Sequence, residues 1–313
     1  MSSMNEFYRT FLLALETGDL ERKTNFETGE QAIYHNGQFL LGSQGKPVEE
    51  ASLVEHIKPE PHLFIFGAGH VSKALYDLAV LQDMKVTVAD ERIEVCNEQR
   101  FPLANRILLP YTDMLQTQFD VVSPYFVIVT HGHCYDSQCL EYALNHQCSY
   151  IGMIGSEGKV AATMEKMLAK GYTQEQLDKV CSPIGIKIGA VTPEEIAISI
   201  MAEIISYFRS DKNLVTVDPN LVRVMASGHG VDVRIVEKHG SAPRSVGSQM
   251  FVSEDGKLYG TIGGGAIENR SIELAKQMLK DNLSYHLEQF TLDASSDLGM
   301  ICGGNAKVIF TLI

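Results

Sequence analysis

A glycine-rich turn after an apolar run is the first place in this chain where the residue types could bind a ligand. Residues 62–66 are mostly apolar and lead into Gly67 and Gly69, and a helical pattern follows. Glycine lets the backbone approach a phosphate, and a helix N-terminus offers free N–H groups with partial positive charge. Ser72 stands where the G-x-G-x-x-G fingerprint has its third glycine. The turn favours phosphate binding, although a turn without a ligand shows the same pattern.

An acidic residue ends the next predicted strand. Asp90 closes the strand at 85–90, about 20 residues beyond the glycines, where dinucleotide-binding folds place a ribose ligand. A carboxylate there would accept hydrogen bonds from ribose hydroxyls. This spacing supports an NAD(P)-dependent oxidoreductase as one hypothesis.

Two histidines and an aspartate follow the fourth predicted strand directly. His131, His133 and Asp136 could bind a metal ion, or they could act as acid and base. A polar loop in which Asp136 caps the next helix fits the same residues. Gly155 and Ser156 follow the fifth strand, either as a second backbone cradle for an anion or as a turn with Ser156 as N-cap.

Three glycine-rich segments lie in the last third of the chain. In order they contain Ser241 and Arg244, then Gly263, Gly264 and Gly265, then Cys302 and Gly303. Backbone amides, a helix N-terminus and a guanidinium suit an anion, so we expect the three segments to converge on one ligand. Cys302 could be a nucleophile, a sulfur carrier, a soft metal ligand or a small buried side chain.

Alternating strand and helix patterns position the first group of motifs. The predicted strands are 62–66, 85–90, 105–109, 125–130, 149–154 and 186–189, and the predicted helices are 70–82, 93–99, 136–146, 157–169, 173–179 and 193–209. Apolar strands separated by amphipathic helices predict an α/β fold with a Rossmann-like, doubly wound parallel sheet.

The pattern changes near residue 212, and a smaller α+β domain is predicted beyond it. Its strands are predicted at 231–237, 248–253, 257–262, 284–292 and 305–312, with helices at 219–227 and 266–280. We therefore divide the chain into an N-terminal extension (1–61, a helix and a hairpin at Asn36-Gly37), a Rossmann-like domain (62–212) and an α+β domain (213–313).

Composition excludes several classes of protein. The chain has 313 residues, 45% hydrophobic and 21% charged, with a net charge of −13. Nucleic-acid binding needs a basic surface, so a nucleic-acid partner is not expected. We see no signal peptide, no apolar run of membrane-spanning length and no C-x-x-C pair among the six cysteines. These features predict a cytoplasmic protein with reduced thiols and no membrane partner.

These motifs together make residues 60–313 resemble the xanthine dehydrogenase accessory protein family (XdhC/CoxI). The first domain carries Phe66-Gly-Ala-Gly-His70, Asp90-Glu-Arg92, Thr130-His-Gly-His133 with Asp136, Ile151-Gly-Met-Ile-Gly-Ser156, Pro183-Ile-Gly185 and Thr192-Pro-Glu-Glu-Ile-Ala197. The second carries Gly240-Ser-Ala-Pro-Arg244, Gly260-Thr-Ile-Gly-Gly-Gly265 with Glu268, and Gly299-Met-Ile-Cys-Gly-Gly304. Family members commonly place the Gly-Ser-Ala-Pro-Arg domain first, so the order is reversed here.

The resemblance implies a chaperone rather than a catalyst. It would bind molybdenum cofactor, protect it during sulfuration and pass it to xanthine dehydrogenase or a related molybdenum hydroxylase. The resemblance adds His70 and Glu268 to the cofactor-binding residues, and it admits a cysteine desulfurase and a second copy of the chain as partners. Whether the Rossmann-like domain holds NAD(P) or another nucleotide stays open, as do the alternatives of an NAD(P)-dependent oxidoreductase and a scaffold that docks the enzyme.

Overall fold

A computed structural model describes residues 4–211, 214–240, 245–292 and 304–313. The chain divides into two compact units, one formed by Glu60–Asp211 and the other by Met1–Pro59 together with Lys212–Ile313. The structure therefore differs from the predicted division into three parts, because it joins the first and last segments.

The N-terminal segment contributes one helix and four strands to its unit. They are α1 (Met4–Leu15), β1 (Leu20–Thr24), β2 (Gln31–His35), β3 (Gln38–Gly42) and β4 (Leu53–Ile57). Asn36 and Gly37 both have positive φ, as the predicted hairpin turn requires. The helix and hairpin predicted for residues 1–61 leave out β4, which pairs antiparallel with β1.

Six parallel strands form the sheet of the Glu60–Asp211 unit. The elements are β5 (His62–Phe66), α2 (His70–Leu81), β6 (Val86–Ala89), β7 (Asn105–Ile107), α3 (Tyr111–Met114), β8 (Pro124–Ile128), α4 (Asp136–Leu144), β9 (Tyr150–Met153), α5 (Glu157–Ala169), α6 (Gln174–Leu177), β10 (Val180–Cys181) and α7 (Pro193–Phe208). The strand order β7-β6-β5-β8-β9-β10 is that of a doubly wound nucleotide-binding sheet, and it reverses between β5 and β8. The predicted fold class is confirmed.

Two predicted elements of this unit were wrong. Residues 93–99 form turns, and the Asn97 side-chain amide donates to the carbonyls of Ile93 and Glu94, which competes with helical hydrogen bonds. Residues 186–189 form no strand, and the sixth strand is instead β10, which pairs with β9.

The remaining elements complete the other unit. They are β11 (Leu214–Val215), α8 (Pro219–Met225), β12 (Gly230–Gly240), β13 (Gln249–Ser253), β14 (Leu258–Gly260), α9 (Gly265–Asp281), β15 (Tyr285–Leu292) and β16 (Gly304–Leu312). One sheet has the order β11-β4-β1-β2-β3, and the other has the order β14-β13-β12-β16-β15. Helix α9 buries Ile267, Ala275 and Met278 in a core with the second sheet.

A buried group of charges explains why the N-terminal segment belongs with the last third. Arg22 on β1 and Arg234 on β12 both contact Glu55 on β4, with N–O distances of 2.8 and 3.0 Å. All three side chains are at most 1% exposed. The hydroxyl of Tyr8 also donates to buried Asp232 at 2.7 Å. Separating the segments would deprive Arg234 of Glu55 and Asp232 of Tyr8, and a buried charge without a partner is costly in a protein interior.

The five cysteines in the described ranges are free. Among the helices of those ranges, none has both the length and the apolar character needed to cross a bilayer.

Candidate functional site

The glycine turn lies at the carboxyl end of β5, beside the point where the strand order reverses. Gly67 has φ of 109°, and a Cβ there would lie 2.4 Å from the carbonyl oxygen of Val129. A Cβ on Gly69 would meet nothing within 4 Å. Gly67 is thus required by the close approach of two strand ends, while open space lies beside Gly69 at the N-terminus of α2. His70, the first residue of α2, is exposed.

Ser72 replaces the third glycine by making a hydrogen bond. Its buried hydroxyl donates to the carbonyl oxygen of Gly67 at 2.6 Å. The bond holds the start of α2 against the turn, where the usual fingerprint relies on a small residue for close packing.

Asp90 lies at the end of β6, as predicted, but its carboxylate is used by the protein itself. One oxygen accepts from the amide and Nε of Arg92, at 3.0 and 2.9 Å. The other accepts from the amide of Ala68 and from Nη2 of Arg92, at 2.8 and 2.7 Å. A carboxylate has about four lone-pair sites. These four bonds therefore leave no acceptor site for a ribose.

The environment of Asp90 also keeps the carboxylate ionised. Burial by itself raises the pKa of Asp90, but the hydrogen bonds from the Arg92 side chain and from the Ala68 and Arg92 amides hold it below the usual value. Asp90 is 1% exposed, whereas the Arg92 side chain is 28% exposed. The carboxylate thus orients a partly accessible guanidinium beside the glycine turn.

A second guanidinium reaches the same turn. Nη2 of Arg100 lies 3.3 Å from the carbonyl oxygens of both Ala68 and Gly69. Arg100 and Arg92 are site residues that sequence reasoning missed. Arg92 follows Asp90 within the quoted motif, so its position was a usable signal. Arg100 comes from an irregular segment that no fingerprint covers.

The histidine loop after β8 forms a hydrogen-bonded pair. Asp136 is 5% exposed and accepts from the hydroxyl of Thr130 at 2.5 Å. Its other oxygen lies 2.8 Å from Nδ1 of His133. Gly132 and His133 both have positive φ, which turns the chain back toward Asp136. His131 is exposed and does not form this pair.

The predicted site of three metal ligands is not formed. Within the residues that the structure describes, no group of three or more His, Cys, Asp or Glu side chains is arranged to hold a metal ion. The three residues are close in sequence, but the left-handed turn directs only His133 to Asp136. An oriented imidazole remains, as an acid–base or hydrogen-bonding group.

Gly155 and Ser156 lie where β9 passes into α5. Ser156 occupies the N-cap position with extended backbone, and its side chain makes no capping hydrogen bond. A cavity of about 310 Å³ adjoins this strand end and includes His133 and Asp136 in its lining.

The triple-glycine turn binds an anion that belongs to the chain. Oε2 of Glu268 accepts from the amides of Ile262 and Gly264, at 3.0 and 3.1 Å, and from the Thr261 hydroxyl at 2.5 Å. The amide of Gly263 donates to the Thr261 hydroxyl at 3.0 Å. Burial alone raises the pKa of Glu268, but these hydrogen bonds hold it below the usual value. Glu268 therefore occupies the place beside the triple-glycine turn where we predicted that an anionic group of the ligand would bind.

The other predicted ligands of this unit lie outside the described residues. They are Ser241, Arg244, Cys302 and Gly303. Convergence of the three glycine segments on one ligand stays a prediction.

Two family models match the chain, one in each unit. The XdhC Rossmann domain matches residues 63–204, and the XdhC and CoxI family matches residues 225–290. The matches occur in the order expected from the motifs. The division between them agrees with the end of the Glu60–Asp211 unit.

Two bacterial proteins are similar to the chain. A probable xanthine dehydrogenase subunit of Bacillus subtilis is 33% identical over 154 residues, which cover 49% of this chain and 44% of that protein. The uncharacterized protein YqeB of Escherichia coli is 30% identical over 186 residues, covering 59% of this chain and 34% of that protein. The matches thus span less than half the length of either relative.

One solved structure similar to the chain is that of a xanthine dehydrogenase from Bacillus halodurans. It is 25% identical, with a TM-score of 0.48, and the match covers 66% of this chain and 64% of that chain.

Proposed function

The chain belongs to the XdhC and CoxI family, and from this membership we propose that it binds molybdenum cofactor as an accessory protein in the maturation of xanthine dehydrogenase or a related molybdenum hydroxylase. The Bacillus subtilis relative, which bears the xanthine dehydrogenase name, supports the choice of client. In this role the chain holds and transfers a cofactor and does not turn over a substrate.

The groups around the glycine turn fit the phosphate of such a cofactor. The space beside Gly69 admits a ligand atom, and the N-terminus of α2 favours an anion. Arg92 and Arg100 add two positive charges at the same edge of the sheet. Arg92 engages Asp90 through Nε and Nη2, so Nη1 is the atom that we assign to the ligand phosphate. The cofactor would supply its own metal-centred chemistry, while these residues bind and orient it.

The hydrogen bonds of Asp90 weigh against an NAD-dependent oxidoreductase, which needs a carboxylate that is free to contact the adenosine ribose. The partly exposed Arg92 guanidinium would suit the 2′-phosphate of NADP, so the choice against an NADP-dependent enzyme rests on the family matches. Here all four acceptor positions of Asp90 are engaged within the protein. A phosphate-bearing pterin needs the glycine turn and the guanidinium groups but not a free acid at this position.

The proposal is tested by activation of a client enzyme. Apo-xanthine dehydrogenase is incubated with molybdenum cofactor, with and without the protein, and the rate of appearance of xanthine oxidation is measured. We expect the protein to raise that rate and the Arg100→Gln variant to raise it less, because the variant removes a charge beside the phosphate. Arg270→Gln is the matched control, since Arg270 is half-exposed on the other unit. An activation rate that does not respond to the protein would contradict the proposal.

A further inference from the structure

A cavity with both polar and apolar walls lies beside the histidine loop, next to the carboxyl end of β9, and the glycine turn does not contribute to its lining. It has a volume of about 310 Å³, which is within the range of small-molecule sites. Its polar wall comes from helices α4 and α5 and the loop between β8 and α4. The polar lining residues are His133, Asp136, Ser137, Lys159, Thr163 and Lys166.

The His133 side chain, which lines the cavity, is oriented by the buried carboxylate of Asp136. Asp136 receives the Thr130 hydroxyl on one oxygen and contacts Nδ1 of His133 with the other. Because Nδ1 is engaged, Nε2 is the ring nitrogen left to meet a ligand in the cavity. The pairing fixes the ring orientation, as carboxylates do for histidines in other sites.

Two lysines supply positive charge. Lys159 and Lys166 lie two helical turns apart on α5, so both project from the same side of the helix into the cavity lining. Nζ of Lys166 donates to the hydroxyl of Ser137 at 3.0 Å, which brings an ammonium and a hydroxyl to one place. Lys159 lies in the first turns of α5, whose N-terminus also favours an anion.

The charges of the lining favour an anion over a cation. Two ammonium groups face one carboxylate, and that carboxylate is already engaged by His133 and Thr130. This excess of positive charge occurs on a chain whose net charge is −13. The rest of the wall is apolar and is formed by Met153, Ile154, Val160 and Ala162.

From these contacts we propose that the cavity binds a phosphate monoester of a small organic molecule. Lys159, Lys166 and Nε2 of His133 hold the phosphate, and the apolar wall contacts the organic group. The site is separate from the glycine turn at which the proposed cofactor binds. Its test is independent of the proposed cofactor, because phenyl phosphate contains neither molybdenum nor a pterin.

Calorimetric titration of the full chain with phenyl phosphate and with inorganic phosphate, at constant ionic strength, tests the proposal. We expect saturable binding of phenyl phosphate, with a Kd about tenfold below that of inorganic phosphate because the ring contacts the apolar wall. Equal affinities for the two probes would overturn the assignment to an organic monoester. The absence of saturable binding of either would overturn the site.

Matched variants locate the binding. Lys159→Gln with Lys166→Gln is expected to weaken phenyl phosphate binding at least about tenfold. Lys179→Gln with Lys280→Gln removes the same charge from exposed positions elsewhere and is expected to leave the Kd within about twofold. His133→Gln should weaken binding while His131→Gln, in the same loop, should not. Equal effects of the two lysine pairs, or of the two histidine variants, would contradict the site.

Discussion

Asp90 and Glu268 show how a carboxylate in a ligand-binding motif can serve the fold instead. Both are preceded by glycine turns whose amides could hold an external anion. In each case the chain provides the anion: Asp90 accepts from Ala68, and Glu268 accepts from Ile262 and Gly264. Motif spacing could predict where each turn lies. It could not predict what the amides bind, because that depends on side-chain conformations settled only by packing.

Replacing Asp90 should test its structural role. Asp90→Asn removes the charge that pairs with Arg92 and turns a donor group toward the Ala68 or Arg92 donors. We expect the free energy of unfolding to fall by about 2–3 kcal/mol, measured by urea denaturation. Asp77→Asn, which affects an exposed pair with Lys73, should change it by less than about 0.5 kcal/mol. Equal stabilities of the Asp90 and Asp77 variants would contradict this role.

Glu268 offers a parallel test in the other unit. Glu268→Gln weakens three hydrogen bonds that close the triple-glycine turn, so we expect a loss of about 1–2 kcal/mol of stability. Glu273→Gln lies on the same helix with its side chain 69% exposed and should have little effect. Thermal unfolding of the two variants side by side provides the measurement. An unchanged midpoint for Glu268→Gln would show that the carboxylate does not hold the turn.

At the scale of elements, the two glycines of the turn, Gly67 and Gly69, have different structural roles. Gly67 needs positive φ and has no room for a Cβ, whereas Gly69 has ordinary φ and open space. The fingerprint treats the two alike. Only the neighbouring strand end, at Val129, distinguishes them.

Alanine substitutions should distinguish the structural role of Gly67 from the ligand-binding role of Gly69. We expect Gly67→Ala to lower the free energy of unfolding by more than about 2 kcal/mol, because the new Cβ clashes with the Val129 carbonyl in a strained conformation. Gly69→Ala should stay within about 1 kcal/mol of the parent while reducing cofactor binding, since it fills the space beside α2. Denaturation curves and cofactor retention are measured for both. Similar unfolding midpoints for the two variants would contradict the assignment.

Most elements of the Rossmann-like unit could be predicted because their apolar periodicity is strong. The helix predicted at 193–209 is α7, Pro193–Phe208, with Thr192 accepting from Glu195 as an N-cap should. The elements that were predicted wrongly or left out depend on interactions that local periodicity does not report. The Asn97 side-chain amide donates hydrogen bonds to the carbonyls of Ile93 and Glu94 where a helix was predicted, and β4 forms because it pairs with β1. The histidine pair was foreseeable as a site, but its hydrogen bond at His133 depends on a left-handed turn.

On the scale of the whole molecule, buried charges join the N-terminal segment to the last third of the chain. Only folding brings these charges together. Arg22, Glu55 and Arg234 come from segments far apart in sequence, and all three are buried. Sequence periodicity does not report such long-range pairs. The N-terminal segment therefore looked like an extension, although it completes the unit that contains the XdhC and CoxI match.

Removing one charge of this group should destabilise both segments at once. Arg234→Met leaves Glu55 paired with Arg22 but removes the hydrogen bonds to the buried side chains of Thr24 and Gln31, so we expect a loss of about 1–3 kcal/mol. Hydrogen exchange should show faster exchange in β1 and in β12 together. Arg270→Met, on an exposed helix face, should change stability by less than about 0.5 kcal/mol. Faster exchange confined to β12 would contradict a shared unit.

Native mass spectrometry of the intact protein, purified from cells that make molybdenum cofactor, tests the proposed function most directly. We expect a bound mass equal to a molybdenum-containing pterin and loss of that mass in the Gly69→Ala variant. Protein from such cells that carries neither molybdenum nor a pterin, while a known molybdenum enzyme from the same cells carries both, would contradict the proposal.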